Sequence, residues 1–346
     1  MSAGGYYSEA EKGPHDVLEL GAFELECGVT LPSARLLYKT HGQLNAARDN
    51  AILFPHMYSG SPSSLESAIA PGRALDPERW FVVCPGQFGN GFSTSPSNVP
   101  APLGGGAFPT VTIGDDVLAQ HRLVTEVLGV DRLALVLGFS MGAQQAYEWA
   151  VRYPDMVERL AAVAGTAKTT AHNAIVVGLA EDAIRSDQAW QLGHYQEASA
   201  VRAGLRLHAH VWSATGLSPE LYRTEGWREA GFESLEDLVR RLFEDDFAPM
   251  DPNNLLAMCW KWRHADVSRH TDGDLAAALG RISAKTRVMP FATDMLFTVD
   301  DCSAEQQLIP GSELRVIESL WGHYSWEATE AARTALDHNL NDLLAA

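Results

Sequence analysis

Several things are scarce in this chain, and each scarcity closes off a class of function. Only four cysteines occur, Cys27, Cys84, Cys259 and Cys302, far apart and in no Cys-x-x-Cys unit. A disulfide framework or a zinc knuckle is therefore not expected, and reduced thiols in a cytoplasmic setting are the default. No apolar run reaches the roughly 18 residues that a membrane-spanning helix needs. The opening "MSAGGYYSEAEKGPHD" has neither a basic stretch nor an apolar one, so it does not read as a secretory signal. Cations are outnumbered, 26 Lys and Arg against 44 Asp and Glu, for a formal charge of −18, which disfavours nucleic acid or an anionic membrane surface as partner. The glycine-rich "PLGGGAF" lacks the Lys and Ser/Thr of a phosphate-binding loop.

What is present is a long alternation of strand-like and helix-like segments. "ARLLYKTHG", "NAILFPHMYSG", "WFVVCPGQFGNG" and "DRLALVLGFS" read as strands, with the helix-like "DDVLAQHRLVTEVLGV" before the last of them. "VERLAAVAGTAK" offers another strand. The pattern predicts an α/β protein with a largely parallel, doubly wound sheet. From about residue 170 to 278 it changes to helix-like sequence with several tryptophans and the acidic stretch "FESLEDLVRRLFEDDFAPMDPNNLLAMCWKW". "TRVMPFATD" and "ELRVIES" then restore strands, and "ATEAARTALDHNLNDLLAA" reads as a final helix. The expected division is a core in two parts, residues 1–169 and 279–346, interrupted by a helical lid over 170–278.

The chemistry concentrates where the fourth strand ends. "LALVLGFSMGAQQAYEWAVRYP" begins as a buried strand and ends as a helix, with Gly138-Phe139-Ser140-Met141-Gly142 at the change. Gly-x-Ser-x-Gly in that context is a nucleophile elbow, which exposes a serine hydroxyl above the sheet beside the unpaired N–H groups of a helix N-terminus. A serine needs a base, and the base needs a third group to fix its tautomer. In this arrangement the acid and the histidine follow the serine in the chain. His323, after Gly322 in "ESLWGHYSWE", follows a strand-like run and is the candidate base. Asp294, ending "TRVMPFATD", is the candidate acid, with Asp300 and Asp301 as alternatives in the same loop. The backbone N–H groups of Tyr58 and Met141 are the candidate oxyanion donors. His56 precedes the serine and is read as shaping its turn. Met57 and Phe139, beside these groups, are candidate substrate contacts. His208 and His210 are spaced as a metal pair could be, but no ligand cluster accompanies them.

"NAILFPHMYSG", "APGRALDPERWFVVCPGQFGNGFSTSPSN", "GFSMGAQQAYEWAVRYPDMVERL", "DPNNLL" and "FATDMLF…WGHYSWE" occur in an order that resembles the homoserine O-acetyltransferase family of the α/β-hydrolase fold, over about residues 15 to 345. The resemblance implies a Ser140–Asp294–His323 triad, a helical lid over a tunnel and a homodimer paired through lid helices. It also implies acyl transfer through an acyl-serine, with coenzyme A as a substrate and no resident metal or redox cofactor. Two features depart from the family: Phe139 and "AQQ" flank the elbow, and Ala209 in "GLRLHAHVW" stands where the family carries an arginine for the substrate carboxylate. Arg206, or Arg202 one turn earlier, is the cation left to supply that charge. An amino-acid carboxylate without a partner in a dry tunnel is costly. Hydrolysis of an ester, thioester or activated amide of a small molecule is therefore the leading expectation, with O-acyl transfer to an alcohol such as homoserine as the alternative. A non-catalytic binding module is disfavoured because all three triad residues are present.

Overall fold

A computed structural model describes residues 5–326 and 328–345. Its eight-stranded sheet has the order β1-β2-β4-β3-β5-β6-β7-β8. Strands β1 (Asp16–Glu24) and β2 (Thr30–His41) form an antiparallel hairpin, and β2 joins β4 (Phe81–Pro85) with Tyr38 opposite Pro85. From there β3 (Ala51–Leu53), β5 (Leu135–Phe139), β6 (Arg159–Val163), β7 (Lys285–Met289) and β8 (Glu313–Leu314) run parallel. The largely parallel sheet is as expected. The leading strand β1 is not in the sequence reading, because its exposed residues mix polar and apolar types, Val17 and Ala22 among them, and only Leu20 and Phe23 are buried.

Named in chain order, the principal helices are α1 (Ile113–Arg122), α2 (Met141–Arg152), α3 (Ala171–Arg185), α4 (Arg202–Gly216), α5 (Pro252–Arg263), α6 (Val299–Gln306) and α7 (Glu330–Leu344). Alternation along β5 divides the core. Val136 faces the apolar layer shared with α1 and α2, while Leu135 and Leu137 face the layer closed by Leu336, Leu340 and Leu343 of α7. The central strands are buried on both faces, which is why they read as unbroken apolar runs.

Helices α3, α4 and α5 lie between β6 and β7 in the chain, and they pack into the same apolar cluster as α1 and α2 through Ile184, Leu205, Leu255 and Met258. Lys261 of α5 fastens this region to α1 and to the loop after β4. Its ammonium, wholly buried, donates to Asp116 Oδ2 at 2.5 Å and to the Phe88 carbonyl at 2.7 Å. Burial pushes the Asp116 carboxyl up to about 6 and the Lys261 ammonium down, and their mutual attraction opposes both shifts.

Candidate functional site

Strand β5 and helix α2 meet at Ser140, whose backbone has φ +57° and ψ −124°. A non-glycine residue there is strained by about 1–3 kcal/mol and persists only because its surroundings fix it. Ser140 N–H donates to the Val163 carbonyl at 3.0 Å, tying the turn to β6. The flanking glycines are required by close approach. A Cβ on Gly138 would lie 2.0 Å from the Gly142 carbonyl oxygen, and one on Gly142 would lie 2.3 Å from that of Pro55. Any larger residue would push the turn apart or drive off the loop after β3.

The loops after β5, β7 and β8 bring Ser140, Asp294 and His323 together. His323 Nε2 is 2.8 Å from Ser140 Oγ, and its Nδ1 is 2.7 Å from Asp294 Oδ2. A carboxylate can only accept, so Nδ1 carries the proton and Nε2 is left as acceptor for the serine hydroxyl. Asp294 Oδ1 accepts from the backbone N–H of Leu296 at 2.8 Å and of Phe297 at 3.2 Å, so both carboxylate oxygens are engaged. The imidazole stacks on Phe139, centroids 5.0 Å apart. Thr293, which the sequence reading passed over, ties the acid loop to the histidine loop: Oγ1 donates to the Ser319 carbonyl at 2.8 Å and accepts from Gly322 N–H at 3.2 Å.

Asp300 and Asp301 are not in the acid's loop. They open helix α6, where Asp301 pairs with the Thr298 hydroxyl at 2.8 Å as part of the N-terminal cap, and Asp300 is exposed. The Thr-x-x-Asp spacing over 298–301 is the capping signal that would have marked this helix.

Among the described residues, neither the Tyr58 nor the Met141 backbone N–H donates to an acceptor. The Tyr58 side chain is held from the helical side. Its hydroxyl is 3.2 Å from His208 Nε2, 3.3 Å from the Leu255 carbonyl and 3.1 Å from Cys259 Sγ, and its ring stacks on Trp212 at 5.4 Å. His208 Nδ1 faces the Ala180 carbonyl at 2.9 Å, which makes Nδ1 the donor and Nε2 the acceptor, also from Trp212 Nε1–H at 3.1 Å. Burial pushes His208 down to about 4. His210 points elsewhere and pairs with Glu244 at 2.5 Å, so the two histidines share no ligand. His56 braces the turn, as read: its Nδ1 is 2.8 Å from the Met57 carbonyl, and its own carbonyl accepts from Gln87 at 2.7 Å.

A cavity of about 360 Å³ opens over Ser140 and His323, lined also by Met57, Tyr58, Phe139, Trp212, Phe247 and Tyr324. Arg206 is not in it. The buried stripe of α4 is Leu205, His208, Ala209 and Trp212, and Arg206 falls off that stripe, exposed in a separate surface depression shared with Arg202, Glu244 and Asp245. The expectation that Arg206 contacts substrate is thus corrected by the rotation of the helix. Lys12 and Asp246 also line the cavity, and neither was singled out from the sequence. Asp246 had a signal: it shares a helical face with Phe243, Phe247 and Met250, an acid in an otherwise apolar stripe.

This fold and this elbow place the chain in a known class. Residues 50–327 match the model of the alpha/beta hydrolase fold family, and the chain belongs to that family and is an enzyme of that fold. It is similar to the ethyl acetate hydrolase of Pseudomonas veronii, with 50% identity over 98% of each chain. It is also similar to the solved acetyl esterase MekB, at a TM-score of 0.97 and 49% identity, covering 99% of each chain. The homoserine O-acetyltransferase of Leifsonia xyli is 34% identical over 93% of this chain and 88% of that one. No helix among the described residues is long and apolar enough to cross a membrane.

Proposed function

We propose that this protein hydrolyses esters of short acyl groups, acetyl above all, with small neutral alcohols. The observation that carries the reading is the continuous contact from Ser140 Oγ through His323 to Asp294 at the floor of the cavity. Ser140 Oγ attacks the ester carbonyl while His323 Nε2 takes its proton, and Asp294 steadies the imidazolium. The Met141 and Tyr58 N–H groups receive the oxyanion. His323 returns the proton to the departing alcohol, leaving an acyl-serine. Water, deprotonated by the same nitrogen, then attacks the acyl carbon; the bond from that carbon to Ser140 Oγ breaks, His323 returns the proton to Oγ, and the acid leaves. The printed names of the 50% and 49% identical relatives, an ethyl acetate hydrolase and an acetyl esterase, support the acyl group, and a cavity of about 360 Å³ suits a small ester.

The second reading, acyl transfer to homoserine, is favoured by the 34% identical relative. Against it stand Ala209, wholly buried, and Arg206, outside the cavity. We also assign residues 170–278 as a lid, residues 1–169 and 279–346 as the interrupted core, and a cytoplasmic homodimer joined through α3 and α4, where Ile175, Leu179 and Leu207 are 64%, 55% and 45% exposed. The discriminating experiment supplies one acetyl donor, p-nitrophenyl acetate, with and without homoserine. Free acetate as the product in both cases is expected; saturable formation of O-acetylhomoserine would replace this reading with the second.

A further inference from the structure

Three acids in a row, Glu244, Asp245 and Asp246, sit in the helical region over the cavity, and they meet different fates. Glu244 pairs outward with His210 at 2.5 Å, and Asp245 pairs with Arg240 at 3.0 Å. Asp246 lines the cavity that holds Ser140 with its side chain exposed, and among the described residues it has neither a hydrogen-bond nor an ion-pair partner. The backbone that carries it is anchored by its neighbours. Phe243 and Phe247 on the same face are 0% and 1% exposed, and the Phe247 ring packs against His208 at 4.8 Å and Trp212 at 6.0 Å.

The carboxylate's field reaches across the cavity. After burial itself, Asp246 is the main cause that raises the Tyr6 and Tyr324 hydroxyls. Lys12 is the only opposing charge on the cavity wall among the described residues apart from the catalytic-site imidazole, and its ammonium lies over the Tyr6 ring, 3.8 Å from the centroid, rather than against Asp246. An unpaired anion on the open side of a cleft is felt by an approaching charge over about a Debye length, roughly 8–10 Å, and the cleft walls focus its field.

We propose that Asp246 is the specificity-determining charge filter of this cavity, rejecting esters with a carboxylate on the acyl or alcohol side and admitting neutral and cationic ones. This rests on the reading of the Ser140 cavity as an ester-hydrolysing site. It also gives the absence of an inward arginine a counterpart: the wall carries a charge of the opposite sign at another place.

The test compares near-isosteric ester pairs that differ in charge, at about pH 8, where an ordinary or modestly raised carboxyl is ionised. Dimethyl succinate against monomethyl succinate reports on an anion, and 3,3-dimethylbutyl acetate against acetylcholine reports on a cation. The readout is the ratio of kcat/KM within each pair, so that any effect of a variant common to both esters cancels. Asp246→Asn is expected to raise the anionic-to-neutral ratio by about 10-fold and to lower the cationic-to-neutral ratio, and Asp246→Ser to do the same. Lys12→Gln is expected to shift the anionic ratio the other way. Ratios that stay within twofold of wild type in both pairs, or a Lys12→Gln change that eases the anion's entry, overturn the filter. Wild-type enzyme inactive on both neutral esters would instead overturn the hydrolase reading on which the filter stands.

Discussion

On the sheet side of the cavity the polar atoms form a closed chain, from Ser140 to His323 to Asp294 to the backbone N–H groups of Leu296 and Phe297. On the helical side, Tyr58 is clamped by His208, Cys259 and the Leu255 carbonyl, and Asp246 is left without a partner. The first wall is built from loops that immediately follow strands, so its geometry is set by the sheet. The second depends on how α4, α5 and the acidic stretch pack together. The difference locates chemistry in the wall whose polar groups are satisfied by one another, and selection in the wall that keeps an unsatisfied charge for the substrate to meet.

The comparison can be broken most forcefully on the sheet side. Ser140→Ala and His323→Ala are each expected to lower kcat for ester hydrolysis by about 10⁴-fold or more with an unchanged circular dichroism spectrum, and Asp294→Asn to leave more residual activity. Retention of wild-type kcat by any of the three would remove that residue from the mechanism.

Between the walls, Lys261→Met leaves the Asp116 carboxylate buried without its partner and should cost about 3–5 kcal/mol of unfolding free energy, read by urea titration. A loss below about 1 kcal/mol would show that this pair does not hold α5 to α1.

On the helical side the expected effects are smaller. His208 is pushed down to about 4 by burial, whereas an unfolded histidine titrates near 6.5. Above that value both states are neutral. As the pH falls below it, the unfolded chain takes up a proton that the folded one refuses, so stability is lost until about pH 4. By pH 5 the loss from this residue is about 2 kcal/mol. His208→Gln should therefore lose about that much less stability than wild type between pH 7.5 and 5; equal losses would mean that His208 titrates normally in the fold.

Smallest of all, Tyr58→Phe removes the hydroxyl clamp but keeps the ring. It should lower stability by about 1 kcal/mol and kcat by about 3- to 10-fold with little change in KM, because the oxyanion loop loosens while the cavity keeps its shape. A rise in KM at constant kcat would make Tyr58 a substrate contact instead.

Legibility from the sequence follows the same division. The elbow, Asp294 and His323 stand out in the sequence because each lies in a short segment just after a strand-like run, with a flanking glycine at Ser140 and at His323. The strands β3 to β5 are readable because burial on both faces makes them apolar throughout, and β6 and β7 because each ends in buried apolar residues, Leu160 to Val163 and Val288 with Met289. Helix α6 has no strong sequence pattern beyond its Thr298 cap, and β8 is shorter than the strand-like "ELRVIES": only Glu313 and Leu314 pair as strand, with Ile317 making an isolated bridge to Phe291. Arg206 was misplaced because its role depends on the rotation of α4 about its axis, which is fixed by Leu205, His208 and Trp212 packing against distant segments. Asp246 and Lys12 reach one cavity from distant parts of the chain, a meeting that no local pattern encodes.

The central claim is that Ser140 carries the acyl group between two transfers, and the most direct measurement is rapid-quench mass spectrometry with p-nitrophenyl acetate, followed by peptide mapping. The account predicts a single acetyl group on the peptide that contains Ser140, formed with the burst of p-nitrophenol and lost as acetate appears, and absent from Ser140→Ala. A burst with the acetyl group on another residue, or full hydrolysis by Ser140→Ala, would contradict it.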